Sequence, residues 1–129
     1  MSSLRFALRP ESFCVHRLPP DAAFDFTRLR GASWYSITRT PDELSVICPS
    51  DRVPDGAAAD TAWRCLRVVD PANNLALSGL LSSLLGPLAE ARVTIVTFST
   101  YSTDYLLVPA VRLSEAVDTL HAAGHRIAL

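Results

Sequence analysis

The sequence lacks the charge pattern of a protein that binds a polyanion. It contains no lysine, and its 12 basic residues, all arginines, are balanced by 13 acidic ones to give a net charge of −1. Because nucleic-acid binding needs a basic face, we expect no nucleic acid partner. The N-terminus also lacks the long apolar run of a signal peptide, which predicts a cytoplasmic protein.

One long uncharged stretch, residues 71–89, has a composition unlike that of a membrane span. It includes two asparagines, three serines, two glycines and two prolines, and its leucines fall on one helical face. A helix with a single apolar face packs on a sheet, whereas a span in lipid is apolar all round. We therefore expect no association with a membrane.

Cysteine and histidine are scarce and poorly spaced for holding a metal. The three cysteines are Cys14, Cys48 and Cys65, without a CxxC motif, which is typical of free buried thiols. Cys14 and His16 would share a strand face, either as a metal-binding pair or as part of a half-buried surface. His121 and His125 have the spacing of helical metal ligands, but Gly124 should end the helix between them. We expect no metal site.

Motifs that would indicate catalysis are also missing. The sequence has no HExxH, no G-x-S-x-G and no glycine-rich loop for phosphates. A nucleophile at Cys14 or Cys48 would have no evident base close by in the sequence. The prediction is a protein that is not an enzyme, with no catalytic residue and no cofactor.

The second half of the chain alternates regularly between strand and helix patterns. Leucines at intervals of three and four across residues 77–88 predict a helix of about three turns, whose last turn Pro87 should loosen. A second apolar stripe at 113–120 predicts another helix, capped by Gly124. Strand-like runs lie at 64–69, 93–99, 105–108 and 126–129. The resulting βαββαβ order predicts a ferredoxin-like α+β fold.

The first half repeats this order only faintly. Strands are predicted at 13–18, 33–39 and 44–48, with a turn at 40–43. Residues 21–29 are too few and too aromatic to predict a helix, and 49–54 could hold one helical turn. Because the linker 54–60 marks a boundary, we predict two tandem units, a degenerate one at 1–58 and a complete one at 59–129.

Several short motifs, spread over most of the chain, form a recognisable set. They are W-R-x-L-R-V at 63–68, S-G-L-L at 78–81, P-L-A at 87–89, S-T-Y-x-T-D-Y at 99–105, L-V at 107–108, G-H at 124–125 and S-I-T-R-T-x-D-E-L-S-V at 36–46. Together they resemble the ACT domain, in the branch that includes small bacterial tandem-ACT proteins and the cytosolic arginine sensors. The resemblance implies an ACT fold and allosteric regulation through a small amino acid or similar metabolite, bound where two ACT units meet. We also expect a homodimer.

The resemblance also implies which residues bind the ligand. The site would lie between the loop that precedes the first helix of the second unit and the hairpin of a neighbouring unit. The loop residues are Asn73, Asn74, Leu75, Ala76, Leu77, Ser78 and Gly79, and the hairpin residues are Ser99, Thr100, Tyr101 and Asp104. Pro71 stands where this branch often has glycine, and Asn73–Leu75 replaces a run that often contains aspartate.

Elementary chemistry gives these residues complementary roles. The first turn of the helix at 77–88 offers unpaired N–H groups and the positive end of the helix dipole, which favour a carboxylate. Gly79 would let a ligand approach the backbone closely, and Asp104 could hold an ammonium or guanidinium group. A ligand that carries both a carboxylate and an ammonium or guanidinium group is a zwitterion.

Each of these residues also has a purely structural interpretation. Ser78 can act as a helix N-cap, Asp104 can satisfy backbone groups in a tight turn, and Tyr101 can lie on the sheet surface or at a subunit contact. Two functions therefore remain open. One is a regulatory protein that binds an amino acid, and the other is a structural module that dimerises or docks through its sheet edges.

Overall fold

The computed structural model describes residues 4–52, 62–69 and 77–128, with the side chains of 77–81 and 83 outside that description. The strands are β1 (Arg5–Leu18), β2 (Ser36–Arg39), β3 (Leu44–Pro49), β4 (Trp63–Val69), β5 (Val96–Ser99), β6 (Asp104–Pro109) and β7 (Arg126–Ala128). The helices are α1 (Leu77–Glu90) and α2 (Leu113–Ala122), and short 3-10 turns occupy Phe26–Leu29, Ser50–Arg52 and Ala110–Arg112. These elements confirm the predicted mixture of helix and sheet.

The chain divides into two compact units. The C-terminal unit comprises Met1–Pro10 and Arg64–Leu129, and the N-terminal unit comprises Glu11–Trp63. Strand β1 therefore contributes its first residues to one unit and its later residues to the other. Its start at Arg5, well before the predicted strand at 13–18, is the largest difference from the sequence-based expectation.

In the C-terminal unit, β1, β4, β6 and β5 are neighbours in that order. β5 and β6 form an antiparallel hairpin in which Ser99 lies opposite Asp104. β7 runs parallel to β1, with Phe6 opposite Ile127. The last strand, predicted at 126–129, is thus present as β7, and it pairs with β1.

Alternating side chains of β4 and β6 pack against the two helices. The buried cluster contains Leu66 and Val68 of β4, Leu106 and Val108 of β6, Leu84 and Leu88 of α1, and Ala116 and Leu120 of α2. Burial of each large apolar side chain contributes roughly 1.5–3 kcal/mol. Asp104 precedes Leu106 by two residues, so the strand period places its carboxylate on this same helix-covered face.

Helix α1 follows the predicted leucine spacing. It has 14 residues and continues through Pro87, which has no backbone N–H to donate within the helix. The N–H of Ala91 donates to the carbonyl of Pro87 over 3.1 Å, which extends the helical hydrogen bonding to its end. Across the described part of the chain, no helix combines the length and apolar character needed to cross a membrane.

Both helices end in the same left-handed turn. After α1, Arg92 has a φ of 59°, and the N–H of Val93 donates to a carbonyl five residues back over 3.0 Å. After α2, Gly124 has a φ of 96°, and the N–H of His125 makes the equivalent bond over 3.0 Å. This is the Schellman geometry, which confirms the predicted cap at Gly124. Because Val93 belongs to the helix end, β5 is shorter than the strand predicted at 93–99.

The N-terminal unit is built on an antiparallel sheet in which β3 lies between β2 and β1. Its buried apolar cluster contains Cys14, Leu29, Leu44, Val46 and Cys48. The predicted turn at 40–43 is confirmed, since the N–H of Thr40 donates to the carbonyl of Glu43 over 2.9 Å. The strand predicted at 33–39 begins only at Ser36.

Candidate ligand site

The β5–β6 hairpin brings two of the predicted site residues together. Ser99 lies opposite Asp104 in the ladder, and its hydroxyl donates to Oδ1 of the Asp104 carboxylate. Asp104 is only 7% exposed, and its other oxygen, Oδ2, is buried without a hydrogen-bond partner among the described residues. Leaving a buried carboxylate oxygen unsatisfied costs free energy, so a hydrogen-bond donor at Oδ2 would stabilise the carboxylate.

A tight turn closes the hairpin and directs one predicted residue into solvent. The N–H of Thr100 donates to the carbonyl of Thr103 over 2.8 Å, and the N–H of Thr103 donates back to the Thr100 hydroxyl over 3.3 Å. Tyr101, between them, has a relative exposure of 101%. The structure therefore groups Ser99 with Asp104 and leaves Tyr101 fully exposed at the hairpin tip.

Thr103, which was not among the predicted site residues, anchors the hairpin to β4. Its side chain is buried, and its hydroxyl donates to the backbone carbonyl of Val68 over 2.8 Å. Val68 is the second-last residue of β4, so this bond holds the beginning of β6 beside the end of β4. The S-T-x-x-T-D pattern draws attention to Thr103 in the sequence, but it does not indicate that the Thr103 hydroxyl bonds to Val68.

Helix α1 is the next described element after β4, and Leu84 and Leu88 of its later turns pack on the sheet face that also carries Asp104. Leu77, Ser78 and Gly79 occupy the first turn of α1, where the N–H groups of a helix are unpaired and its dipole is positive. The remaining predicted residues, Asn73, Asn74, Leu75 and Ala76, lie outside the described residues.

His125 is part of the buried core, and the described histidines and cysteines form no group that could hold a metal ion. Within residues 4–52, 62–69 and 77–128, no three His, Cys, Asp or Glu side chains are arranged to hold a metal ion. His125 is buried, accepts the N–H of Leu4 at Nδ1 over 3.1 Å, and meets the Phe6 ring edge-on. His121, by contrast, is exposed at the end of α2, so the two histidines differ in their surroundings.

Comparison with known proteins places the sequence in a family. The sequence model of the ACT domain matches residues 58–122, half of the chain. The chain belongs to the ACT domain family. A second model, which describes an N-terminal domain, matches residues 11–56.

Related proteins agree with the ACT assignment. Protein Atu0741 from Agobacterium tumefaciens has a solved structure that is 31% identical, with a TM-score of 0.90 over 100% of this chain and 95% of that one. The regulatory subunit of aspartate kinase from Thermus flavus has a TM-score of 0.60 at 13% identity, over 92% of this chain and 96% of that one. At that identity, the likeness concerns the ACT fold alone.

The curated relatives are longer than this ACT protein. Cytosolic arginine sensor for mTORC1 subunit 1 from Bos taurus is 28% identical over 97 residues, which are 67% of this chain and 30% of that protein. A human relative, CASTOR3P, is 28% identical over 98 residues, or 60% of its length. The chain therefore spans less than two thirds of each of these relatives.

Proposed function

We propose that this ACT protein is a non-enzymatic regulatory protein that binds a small amino acid at an interface between ACT units. The observation that supports the proposal most directly is the Asp104 carboxylate. One of its oxygens is bonded to Ser99, and the other is buried without a partner among the described residues. A ligand that donates a charged hydrogen bond would satisfy that oxygen.

The chemistry of the site favours a zwitterion. An ammonium or guanidinium group beside Asp104 would form a charge-assisted hydrogen bond, which is roughly twice as strong as a neutral one. A carboxylate on the same ligand would be stabilised by the N–H groups and dipole at the start of α1, near Ser78 and Gly79.

The enclosure of the carboxylate links binding to conformational change. Oδ2 has almost no accessible surface, so a ligand reaches it only when the surrounding structure opens. A ligand that binds one arrangement better than the other shifts the population between them. Such a shift is what a regulatory module needs, and no chemical step is required.

The architecture proposed with this function is a pair of ACT units. The unit at 59–129 has the ferredoxin-like order of strand, helix, strand, strand, helix and strand, and the unit at 1–58 is a degenerate version. The protein works in the cytoplasm as a homodimer whose ACT units close the ligand site. The names of the relatives, an arginine sensor and a regulatory subunit of aspartate kinase, support a sensor of an amino acid rather than an enzyme.

The proposal is tested by thermal shift with the twenty common amino acids, using Asp104→Asn and a matched control, Asp118→Asn. Asp118 is an exposed carboxylate on α2 in the same unit. A true ligand at 100 times its Kd stabilises the native state by about 2.7 kcal/mol. We expect Asp104→Asn to weaken binding at least about 30-fold, since removing one partner of a buried charge pair costs roughly 2–5 kcal/mol.

The stability of the unliganded variants separates a binding role from a structural one. If Oδ2 is reserved for a ligand, Asp104→Asn removes an uncompensated charge and leaves the melting temperature unchanged or higher. A variant that melts much lower without ligand would instead assign Asp104 to the turn. A ligand response equal to that of Asp118→Asn would contradict the proposed site.

A second candidate function is a structural module that dimerises without a ligand. Two observations favour it: Tyr101 is fully exposed at the hairpin tip, and β5 stands at the end of the strand order. An exposed edge strand can pair with another chain. A robust dimer on a sizing column, with no amino acid giving a thermal shift and with Tyr101→Ala dissociating it, would support this alternative.

A further inference from the structure

Two free thiols face each other across the sheet of the N-terminal unit. Cys14 of β1 and Cys48 of β3 are direct partners in the antiparallel ladder, and their sulfur atoms are 3.7 Å apart. Both residues are free cysteines and both are buried. Opposed residues in an antiparallel ladder have Cα atoms about 4.5–5.5 Å apart, which lies inside the range that a disulfide spans.

An open cleft lies close to this pair along both segments of the chain. Ser12 of β1 and Ser50, the first residue of the 3-10 turn that follows β3, are bonded through their hydroxyls over 3.3 Å. They line a cleft of about 270 Å³ together with Glu11, Pro49 and Asp51. Each serine is two residues from one of the cysteines, so a small oxidant in this cleft would be a short distance along the chain from the buried thiols.

The contact between the sulfur atoms makes the two thiols unequal. The contact with Cys14 lowers the pKa of the Cys48 thiol, and the same contact raises the pKa of Cys14. The thiolate is the reactive form of cysteine. This difference favours Cys48 as the thiol that reacts first, with Cys14 as the thiol that resolves the first oxidation product.

We propose that Cys14 and Cys48 form an oxidation site, at which a small peroxide converts the two thiols into a reversible disulfide between β1 and β3. The site is independent of the ligand site proposed at Asp104. It makes the N-terminal unit respond to oxidant, a property separate from the recognition of an amino acid.

The reaction uses one molecule of hydrogen peroxide and two thiols. The Cys48 thiol loses its proton, and the thiolate attacks one peroxide oxygen as the O–O bond breaks. The departing hydroxide takes up that proton and leaves as water, with a sulfenic acid on Cys48. The sulfur of Cys14 then attacks the Cys48 sulfur, so that an S–S bond forms and the S–O bond breaks. The departing hydroxide takes the Cys14 proton, and the products are one disulfide and two water molecules after a two-electron transfer.

The disulfide should stabilise the folded chain. It would close the segment from residue 14 to residue 48 into a loop and so restrict the unfolded state. We expect the melting temperature to rise by roughly 5–15 °C on oxidation and to return to its starting value after reduction with dithiothreitol.

The test oxidises the folded full-length protein with hydrogen peroxide, removes the peroxide with catalase, and alkylates the remaining thiols in denaturant. Mass spectrometry should show one alkylated cysteine instead of three, and a peptide that links Cys14 to Cys48. Cys65→Ala, the matched control from β4, should form the same link and retain no free thiol. Cys14→Ala should form no link and should instead accumulate sulfenic acid on Cys48, detectable with dimedone.

If Cys14→Ala does not fold, a second comparison replaces it: the natural protein is oxidised once in its folded state and once in urea. The proposal is supported if the folded protein forms only the Cys14–Cys48 link and the protein in urea also forms links to Cys65. Three alkylated thiols after peroxide treatment of folded protein would overturn it. A link that involves Cys65 in the folded state would overturn it as well.

Discussion

The hydroxyl of Thr103 donates to the backbone carbonyl of Val68 over 2.8 Å, and both residues are buried. This bond joins residues 35 positions apart and sets the hairpin that carries Asp104 against the end of β4. The candidate ligand site depends on it, because the next residue after Thr103 supplies the carboxylate. Its loss should affect stability and ligand recognition together.

Thr103→Val is expected to destabilise the protein by about 1–3 kcal/mol, the usual cost of leaving a buried hydrogen-bonding group without its partner. The control is Thr97→Val, the same replacement at an exposed position of β5, which should stay within about 0.5 kcal/mol of the natural protein. Urea unfolding measures both. Equal stability of the two variants would show that the Val68 carbonyl does not need the Thr103 hydroxyl.

Ser99 and Asp104 are expected to be energetically coupled. Ser99→Ala removes the donor to Oδ1 and leaves a buried carboxylate with neither oxygen bonded to a side chain, whereas Asp104→Asn removes the charge. A double-mutant cycle should therefore give a coupling free energy of about 0.5–3 kcal/mol. Additive effects in urea unfolding would mean that the hydroxyl contributes nothing to holding the carboxylate.

The two helix ends provide a matched pair of backbone tests. Arg92 adopts a positive φ of 59° although it is not glycine, so Arg92→Gly should stabilise the protein by about 0.5–1 kcal/mol. Gly124 has a φ of 96°, and a Cβ there would meet no atom within 4 Å. Gly124→Ala should therefore destabilise it by about 1 kcal/mol through backbone strain alone. Opposite changes in melting temperature are expected, and changes of the same sign would exclude this explanation.

An exposed ion pair at the start of α2 should make stability depend on pH. The Arg112 guanidinium is 2.6 Å from Glu115 and holds the pKa of that carboxyl below its ordinary value of 4.5. Because the folded-state pKa is lowered, the stabilisation is present above pH 4.5 and is lost as the pH falls through the folded-state value. Urea midpoints at pH 7 and at progressively lower pH measure the loss.

Substitution of each partner of this ion pair provides a control for the pH effect. Glu115→Gln removes the titrating group and Arg112→Gln removes the cause of its shift, so either change should reduce the acid dependence of the urea midpoint by the same amount. Arg112 also donates to the Ala91 carbonyl over 3.2 Å at the end of α1. Arg112→Gln should consequently be less stable than Glu115→Gln even at pH 7. If the urea midpoints of the two variants depend differently on pH, Arg112 is not the main cause of the lowered pKa of Glu115.

Several features of the candidate site were predictable from the sequence. Asp104 is the only carboxylate in a run of hydroxyl-bearing residues between two apolar segments, and the turn at Thr100–Thr103 uses residues typical of turns. The exposure of Tyr101 and the enclosure of Oδ2 could not be predicted, because both depend on which face of the hairpin the rest of the unit covers.

Local sequence by itself determined the two helices, the end of α2 and the tight turns. The leucine spacing of α1 and the cap at Gly124 act within a few residues, so their structural consequences are local. Composition and family motifs also identified an ACT domain, which the family comparison confirmed. These features do not require knowledge of distant contacts.

Tertiary structure alone decided the pairings between distant segments. Arg9, Pro10 and Glu11 interrupt the apolar pattern of β1, yet β1 extends through them and pairs with β7 at Arg5–Ala7. The opposition of Cys14 to Cys48 and the bond from Thr103 to Val68 likewise follow from strand register. Register is set by burying one whole face of a sheet, a requirement of the assembled core that no short stretch of sequence contains.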